Sequence, residues 1–473
     1  MKKFFLLWLF IISTSGLIAQ KSDIANYNKF FSDQTMRVDY FHAGTPSEEH
    51  FSIDRIINDG NWAGSKTLMI DKLNRGLYFF KVVDTLTNTL IYSRGFASIF
   101  GEWQTIGDAD WTTFHESVRF PWPLNPVKLI IEKRDQKNNF IPVYSTIIDP
   151  KSRIVNPSIL KNNYRIFNFL VNGPPDDHVD IVILGDGYTS KEMKKFHNDV
   201  KILTNELFSV EPFRSYKSKF NVRAVETPAA TTGVNKPHPG IFNRTPLSLS
   251  YGAFDSERYV LAYDNRTIRD VAASVPYDHM FILVNERTYG GGGIYNLYST
   301  VASDNKFSKY IFVHEFGHSF GALADEYYTS DVAYEIPAIT VEPWEPNVTA
   351  MFNPGDLKWK DLINPGTPLP TPWSKEEFDN FSYNIQKKRR ALREAKVPES
   401  EMEALFEHEK KTTLDMFAKN KYKDSTGAFE GGNYMQFGIY RSALDCIMFT
   451  RNKQEFCPAC SKALAEVIEM YAR

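Results

Sequence analysis

The sequence predicts an α+β/α/β chain in two parts: an antiparallel β-sandwich over residues 20–161 and an α/β domain over residues 162–473. Three observations predict it. Short alternating runs broken by polar turns fill the front. Continuous apolar runs alternate with helical patterns behind it. The change falls at Asn172-Gly-Pro-Pro-Asp-Asp177.

In the front part the β-like runs include Gly76–Val83, Val127–Glu132 and Phe140–Tyr144, with turn signals at Asn58-Asp-Gly60 and Asp135-Gln-Lys-Asn-Asn139. It holds no ligand cluster or nucleophile arrangement, so it reads as an accessory domain. Behind it, Val179–Leu184, Phe220–Val225 and His279–Val284 read as buried strands, and the capping-box spacing of Thr189 and Glu192 starts a helix running to about Phe208. Tyr289-Gly-Gly-Gly-Gly293 and a strand to Ala302 form either a substrate-binding edge strand or a flexible loop leading into a strand. A helix follows from Ser308 to about Leu323. Residues 335–372 should be largely irregular, and a charged helical insertion is expected near 374–420. Its Lys387-Lys-Arg-Arg390 is read as a solvated face, because acidic groups such as Glu399, Glu401 and Glu403 accompany it.

Composition narrows the function classes. With 42% apolar and 24% charged residues the chain can bury a sizeable core. Lys and Arg (55) nearly balance Asp and Glu (57), so nothing points to nucleic acid or another polyanion. Met1-Lys-Lys3, the apolar run Phe4–Ile12 and the small residues up to Ala19 describe a signal peptide over residues 1–19. The run is short of the ~20 residues that span a bilayer. The expected protein is therefore exported, whether secreted, periplasmic or on the cell surface, with no stable membrane insertion after signal removal.

The chemical centre is His314-Glu315-Phe-Gly-His318. Residues four apart share a helix face. Two imidazoles so placed can bind one Zn²⁺ at ~2.0–2.1 Å. Glu315 can act as general base toward a metal-activated water, a chemistry suited to hydrolysing the peptide bonds of protein or peptide substrates. A non-catalytic binding protein or adhesin, and a zinc amidase acting on cell-wall peptides, are the competing readings. The intact Glu315 argues against the first. Gly321 can end the helix in a left-handed turn, so that a carboxylate from Asp325-Glu326 folds back as third ligand. The three cysteines, Cys446, Cys457 and Cys460, lie near the end of the chain. The favoured expectation is a disulfide from Cys446 to Cys457 or Cys460.

These segments carry a resemblance. Val179–Thr189, Glu211–Tyr216, Phe220–Val222, Val313–Gly321, Asp325–Tyr327, Glu345–Ala350, Gly427–Gly431, Tyr440–Ser442, Cys446–Met448 and Phe456–Cys460 are similar to the secreted bacterial IgA-peptidase family, family sixty-four of the metallopeptidases. The resemblance implies a metzincin-like zinc metallopeptidase, with zinc on His314 and His318 and catalysis by Glu315. Asp445–Phe449 looks like the methionine-containing turn beneath a metzincin metal. In the usual metzincin pattern the third ligand stands ten residues after the first His, where this chain has Ala324. On an unbroken helix Asp325 would lie ~10 Å from His318 along the axis. A break at Gly321 is therefore required, and Asp325 then has the shorter path to the metal, with Glu326 as the alternative.

Overall fold

A computed structural model describes residues 26–106, 110–330 and 340–472. The segment read as a signal peptide lies outside these residues. The front part contains β1 (Phe31–Thr45), β2 (Glu48–Asn61), β3 (Tyr78–Asp84), β4 (Thr89–Phe96), helix α1 (Ile99–Trp103), β5 (Thr112–Pro123), β6 (Val127–Arg134), β7 (Phe140–Ile148) and β8 (Val155–Ile159). Two four-stranded sheets result, ordered β5-β1-β2-β8 and β4-β3-β6-β7. Successive side chains on a strand take opposite faces. Met36, Val38 and Tyr40 of one sheet therefore meet Tyr78, Phe80 and Val82 of the other in a shared apolar core.

Asp135–Asn139 is the β6–β7 turn, closed by Asn138 N–H donating to the Asp135 carbonyl at 2.9 Å. Asn58–Gly60, expected as a turn, instead lies within β2. Asp59 is held there by the buried Arg37 at 2.5 Å and by Arg119 at 2.8 Å. A local register shift opposite Gln34–Met36 takes up the bend that these turn-forming residues favour.

The second part is built on β9 (Ile166–Leu170), β10 (Val179–Asp186), helix α2 (Met193–Leu207), β11 (Phe220–Val225), β12 (Leu249–Tyr251), β13 (Val260–Ala262), helix α3 (Asn265–Ala272), β14 (His279–Val284), β15 (Gly291–Ile294), β16 (Tyr298–Ala302) and helix α4 (Ser308–Gly321). Six of these strands form one sheet, ordered β15-β16-β14-β10-β11-β9. Its four central strands are parallel, and both edge strands are antiparallel to their neighbours. Ile181, Ile183, Phe281 and Leu283 face a core shared with α2 and α4, whereas Val182, Leu184, Ile282 and Val284 face a second core with β12, β13 and α3. Burial on both faces is why these strands read as unbroken apolar runs.

Beyond the sheet lie β17 (Val348–Thr349), α5 (Lys375–Glu394), α6 (Glu399–Ala418), β18 (Phe429–Gly432), β19 (Met435–Arg441) and α7 (Pro458–Tyr471). The charged segment near 374–420 is a helical hairpin, α5 and α6, and it is not solvated all round. Phe378, Ile385, Met402, Phe406 and Phe417 join the main core, while Lys387, Lys388 and Arg390 remain exposed.

Charged side chains join the two parts. Arg55 bonds Asp39 of the sandwich and Asp270 of α3, each at 2.7 Å, and Arg119 donates to the Tyr277 carbonyl at 3.0 Å. Arg75 donates to the Ala463 carbonyl at 2.8 Å and to the Gly321 carbonyl at 3.3 Å, which holds the C-terminal end of α4. Among the described residues no helix is long and apolar enough to cross a membrane.

Candidate active site

Helix α4 is apolar nearly all round. Ile311, Phe312, Val313, Phe316 and Phe320 are buried, and Phe312 stacks on Phe281 at 3.9 Å between ring centroids. Its one polar stripe carries His314 and His318, with Glu315 beside them. The helix ends at Gly321, but the left-handed residue is Ala322, at φ 56°. This corrects the reason expected for the glycine. A Cβ on Gly321 would stand 2.6 Å from Leu464 Cδ2, so the position is glycine to admit α7. Ala322 takes the unusual backbone angle, and Leu323 N–H closes the end on the Gly317 carbonyl at 3.2 Å.

The turn brings Asp325 back over the helix face. Its Oδ1 lies 3.1 Å from His314 Nε2 and 3.2 Å from His318 Nε2, and the two Nε2 atoms are 3.2 Å apart. Four donors at ~2.0–2.1 Å around a tetrahedral ion stand about 3.3 Å from one another. The three atoms therefore have the spacing of three corners of such a site, and Oδ1 has no hydrogen-bond donor of its own although it is buried. Both histidines are oriented from behind. His314 Nδ1 donates to the Ile447 carbonyl at 2.9 Å, and His318 Nδ1 to the Leu323 carbonyl at 2.6 Å, which leaves each Nε2 as a lone-pair donor. These residues fit a metal of the zinc class.

Electrostatics agree with the geometry. Burial opposes charge on His318, yet the Asp325 carboxylate outweighs it and raises the imidazole to about 9. Burial likewise opposes ionisation of Asp325, but the two histidines hold its carboxyl well below the ordinary range. A pocket that draws a proton this strongly also draws a cation, and the two compete. Burial raises the Glu315 carboxyl, against the pull of His314 and His318. Glu315 is outside the three-donor group and lines the cleft next to it.

Glu326 points elsewhere. It is fully buried, and burial pushes its carboxyl well above the carboxylate range. Its Oε1 accepts from Asn347 Nδ2 at 3.1 Å and lies 3.3 Å from Cys460 Sγ. The three cysteines are free thiols gathered around it, so the expected disulfide is absent. Cys446 donates to Cys460 Sγ at 3.9 Å, with no disulfide between them.

Several residues at the site gave little sequence signal. Asn347 clamps the segment that carries Asp325 through both Ala324 backbone groups, at 2.8 and 2.9 Å. Tyr434 donates to Asp325 Oδ2 at 2.5 Å. Glu102, from α1 in the sandwich, lines the cleft and bonds Tyr259, and burial raises its carboxyl to about 7. The cleft encloses about 580 Å³ between the sandwich, the sheet edge and the α5–α6 hairpin, so the front part forms one of its walls.

The glycine run is an edge strand, as one of the two expected readings had it, but the backbone it admits is not a substrate's. Gly291–Gly293 belong to the edge strand β15, where a Cβ on Gly293 would come 2.4 Å from the Glu315 carbonyl oxygen. The close backbone approach is to helix α4. On the outer edge, Gly291 N–H already donates to the Arg258 carbonyl at 3.1 Å.

Comparison with known proteins follows the same division of the chain. The family model described as IgA Peptidase M64 matches residues 168–468, and that described as Peptidase M64 N-terminus matches residues 26–145. No curated protein matches the chain. With one model covering the helix–sheet part that carries the histidines and the other covering most of the sandwich, the chain belongs to the M64 IgA peptidase family, a family of peptidases and hence of hydrolases.

Proposed function

We propose that this protein is an exported zinc-dependent endopeptidase with a metzincin-like catalytic domain over residues 162–473 and the sandwich over 20–161 as its accessory domain. His314, His318 and Asp325 hold the metal and Glu315 is the general base. The observation that carries the reading is the triangle of two imidazole nitrogens and one carboxylate oxygen, with sides of 3.1–3.2 Å. The left-handed end of α4, the return of Asp325 and the buried Met448 beneath the helix support the metzincin-like assignment. Export rests on the sequence of residues 1–19.

Zinc, when bound, acidifies water and polarises a carbonyl. Glu315 takes the proton of the attacking water and returns it to the departing amine, and its raised carboxyl pKa suits both transfers. Tyr434 fixes the rotamer of Asp325 through Oδ2 and leaves Oδ1 toward the histidines. The cleft walls, including Tyr259 and Tyr327, give an extended chain an apolar bed beside β15.

Zinc-loaded protein incubated with casein and with cell-wall peptides, each with and without chelator, tests the proposal. Cleavage of casein at internal bonds, abolished by chelation, is the expected result. Hydrolysis of wall peptides alone, or of neither substrate, overturns the endopeptidase reading.

A further inference from the structure

We infer that Cys446, Cys457, Cys460 and Glu326 form a second cation site, thiolate-rich and structural, placed back to back with the histidine site. Their ligand atoms all lie within 4.8 Å of one another. A tetrahedral zinc with sulfur at ~2.3 Å and oxygen at ~2.0 Å sets sulfur pairs about 3.8 Å apart and sulfur–oxygen pairs about 3.5 Å apart. Here Cys446 and Cys460 sulfurs are 3.9 Å apart, and Glu326 Oε1 is 3.3 Å from Cys460 Sγ and 3.9 Å from Cys457 Sγ.

The site is closed. None of the four residues exceeds 5% exposure, as in structural rather than catalytic zinc centres. Glu326 Oε2 is buried with no hydrogen-bond partner, an arrangement that a cation would relieve. Backbone N–H groups of Cys457 and Cys460 point at the sulfurs of Cys446 and Cys457, at 3.3 and 3.4 Å, and Ser442 Oγ is 3.0 Å from Cys457 Sγ. Such contacts favour thiolates, and a soft donor set selects a zinc-class ion over magnesium or calcium. The third acid–histidine group, Asp39, Asp54 and His115, is different, because its carboxylates are already paired with Arg37, Arg55 and Arg266.

The ligands come from three segments that meet under the histidines. Glu326 follows Asp325 directly, and its N–H donates to the Met448 carbonyl at 2.8 Å. Cys446 precedes the Ile447 carbonyl that orients His314. Cys457 and Cys460 open helix α7. A cation there would tie the Asp325 segment, the Met448 turn and α7 into one unit. A disulfide would use two of the four groups and leave a thiol and a carboxyl in the core.

The double variant His314→Ala/His318→Ala removes the histidine site, so its metal content reads the second site alone and does not depend on peptidase activity. The full chain isolated with zinc should retain one zinc per chain in this background. Its thiols should resist alkylation until a chelator is added, and cobalt exchange should give a near-ultraviolet thiolate charge-transfer band. Adding Cys460→Ser should weaken that band, because one of the three thiolates is lost. A metal-free double variant with three readily alkylated thiols, a disulfide between any two cysteines, or a band unchanged by Cys460→Ser overturns the inference.

Discussion

His314 Nδ1 donates to the carbonyl oxygen of Ile447 at 2.9 Å, across 133 positions of sequence. One hydrogen bond thus fixes the imidazole tautomer and couples it to the turn that carries Met448. The next residue completes the support, because a Cβ on Gly317 would lie 2.8 Å from Met448 Sδ. Methionine sulfur therefore fills the space under α4 at Gly317.

Met448→Ala should open a cavity there and cost ~2–5 kcal/mol of stability, with weaker zinc binding at the histidines. Met448→Leu conserves volume and should cost under ~1.5 kcal/mol. Denaturant unfolding of the two variants checks this. An alanine variant as stable as the parent would show that Met448 does not support the helix.

Removing the carboxylate that faces both histidines should separate Asp325 from its neighbour. Zinc affinity at the histidines should fall more than ~100-fold in Asp325→Ala, beyond the usual cost of losing an outer partner, and activity should fall with it. Glu326→Gln should leave that affinity within about tenfold, since Glu326 faces the cysteines. Titration against a competing chelator reads both, and equal losses in the two variants would contradict the assignment.

Much of this site was legible in the sequence. The spacing of His314 and His318 needs only helical periodicity, and the apolar lead-in to the helix marks it as buried. Asp325 follows from the need for the helix to break. The position of the break was right and its cause was not: Gly321 makes room for Leu464, a contact 143 residues distant that no local pattern encodes. The same limit hid Asn347, Tyr434 and Glu102, single polar residues brought in by tertiary packing. Asn58–Gly60 has the local chemistry of a turn, and only the buried Arg37–Asp59 pair, which no local pattern encodes, keeps the segment in β2. Cysteine spacing alone suggests a disulfide, because it carries no sign of Glu326, whose position among the thiols is set by the fold.

Gly293→Ala tests the packing of β15 on the helix. The added methyl would meet the Glu315 carbonyl oxygen at 2.4 Å and His318 Cβ at 3.0 Å. Overpacking of this kind costs typically ~1–3 kcal/mol, and the shift should lower kcat because it moves the backbone of Glu315. A thermal melt and a steady-state assay measure the two effects. Unchanged values in both would mean that the strand and helix can separate freely.

The sandwich carries its own pH dependence. His42 lies 3.0 Å from both Glu116 and Glu49, between the rings of Phe51 and Phe100. Burial opposes its charge, but Glu116 and Glu49 prevail and raise the imidazole above its ordinary value. Lys133 and the Tyr78 hydroxyl contact Glu49 from the facing sheet. A raised histidine pKa contributes stability fully below the unfolded value of ~6.5, and the contribution is lost as pH rises through the folded value. His42→Gln should therefore cost most in mildly acidic buffer and progressively less above neutrality. Unfolding curves at several pH values decide, and a cost that grows toward alkaline pH would contradict the ion-pair account.

In the proposed mechanism Glu315 moves the proton while His314, His318 and Asp325 hold the metal. Zinc content and peptide hydrolysis measured on one preparation of Glu315→Ala test it most directly. Parental zinc content with turnover lowered by ~10²–10⁴-fold or more is the expected result for the loss of a general base. Near-parental hydrolysis with zinc retained would contradict it.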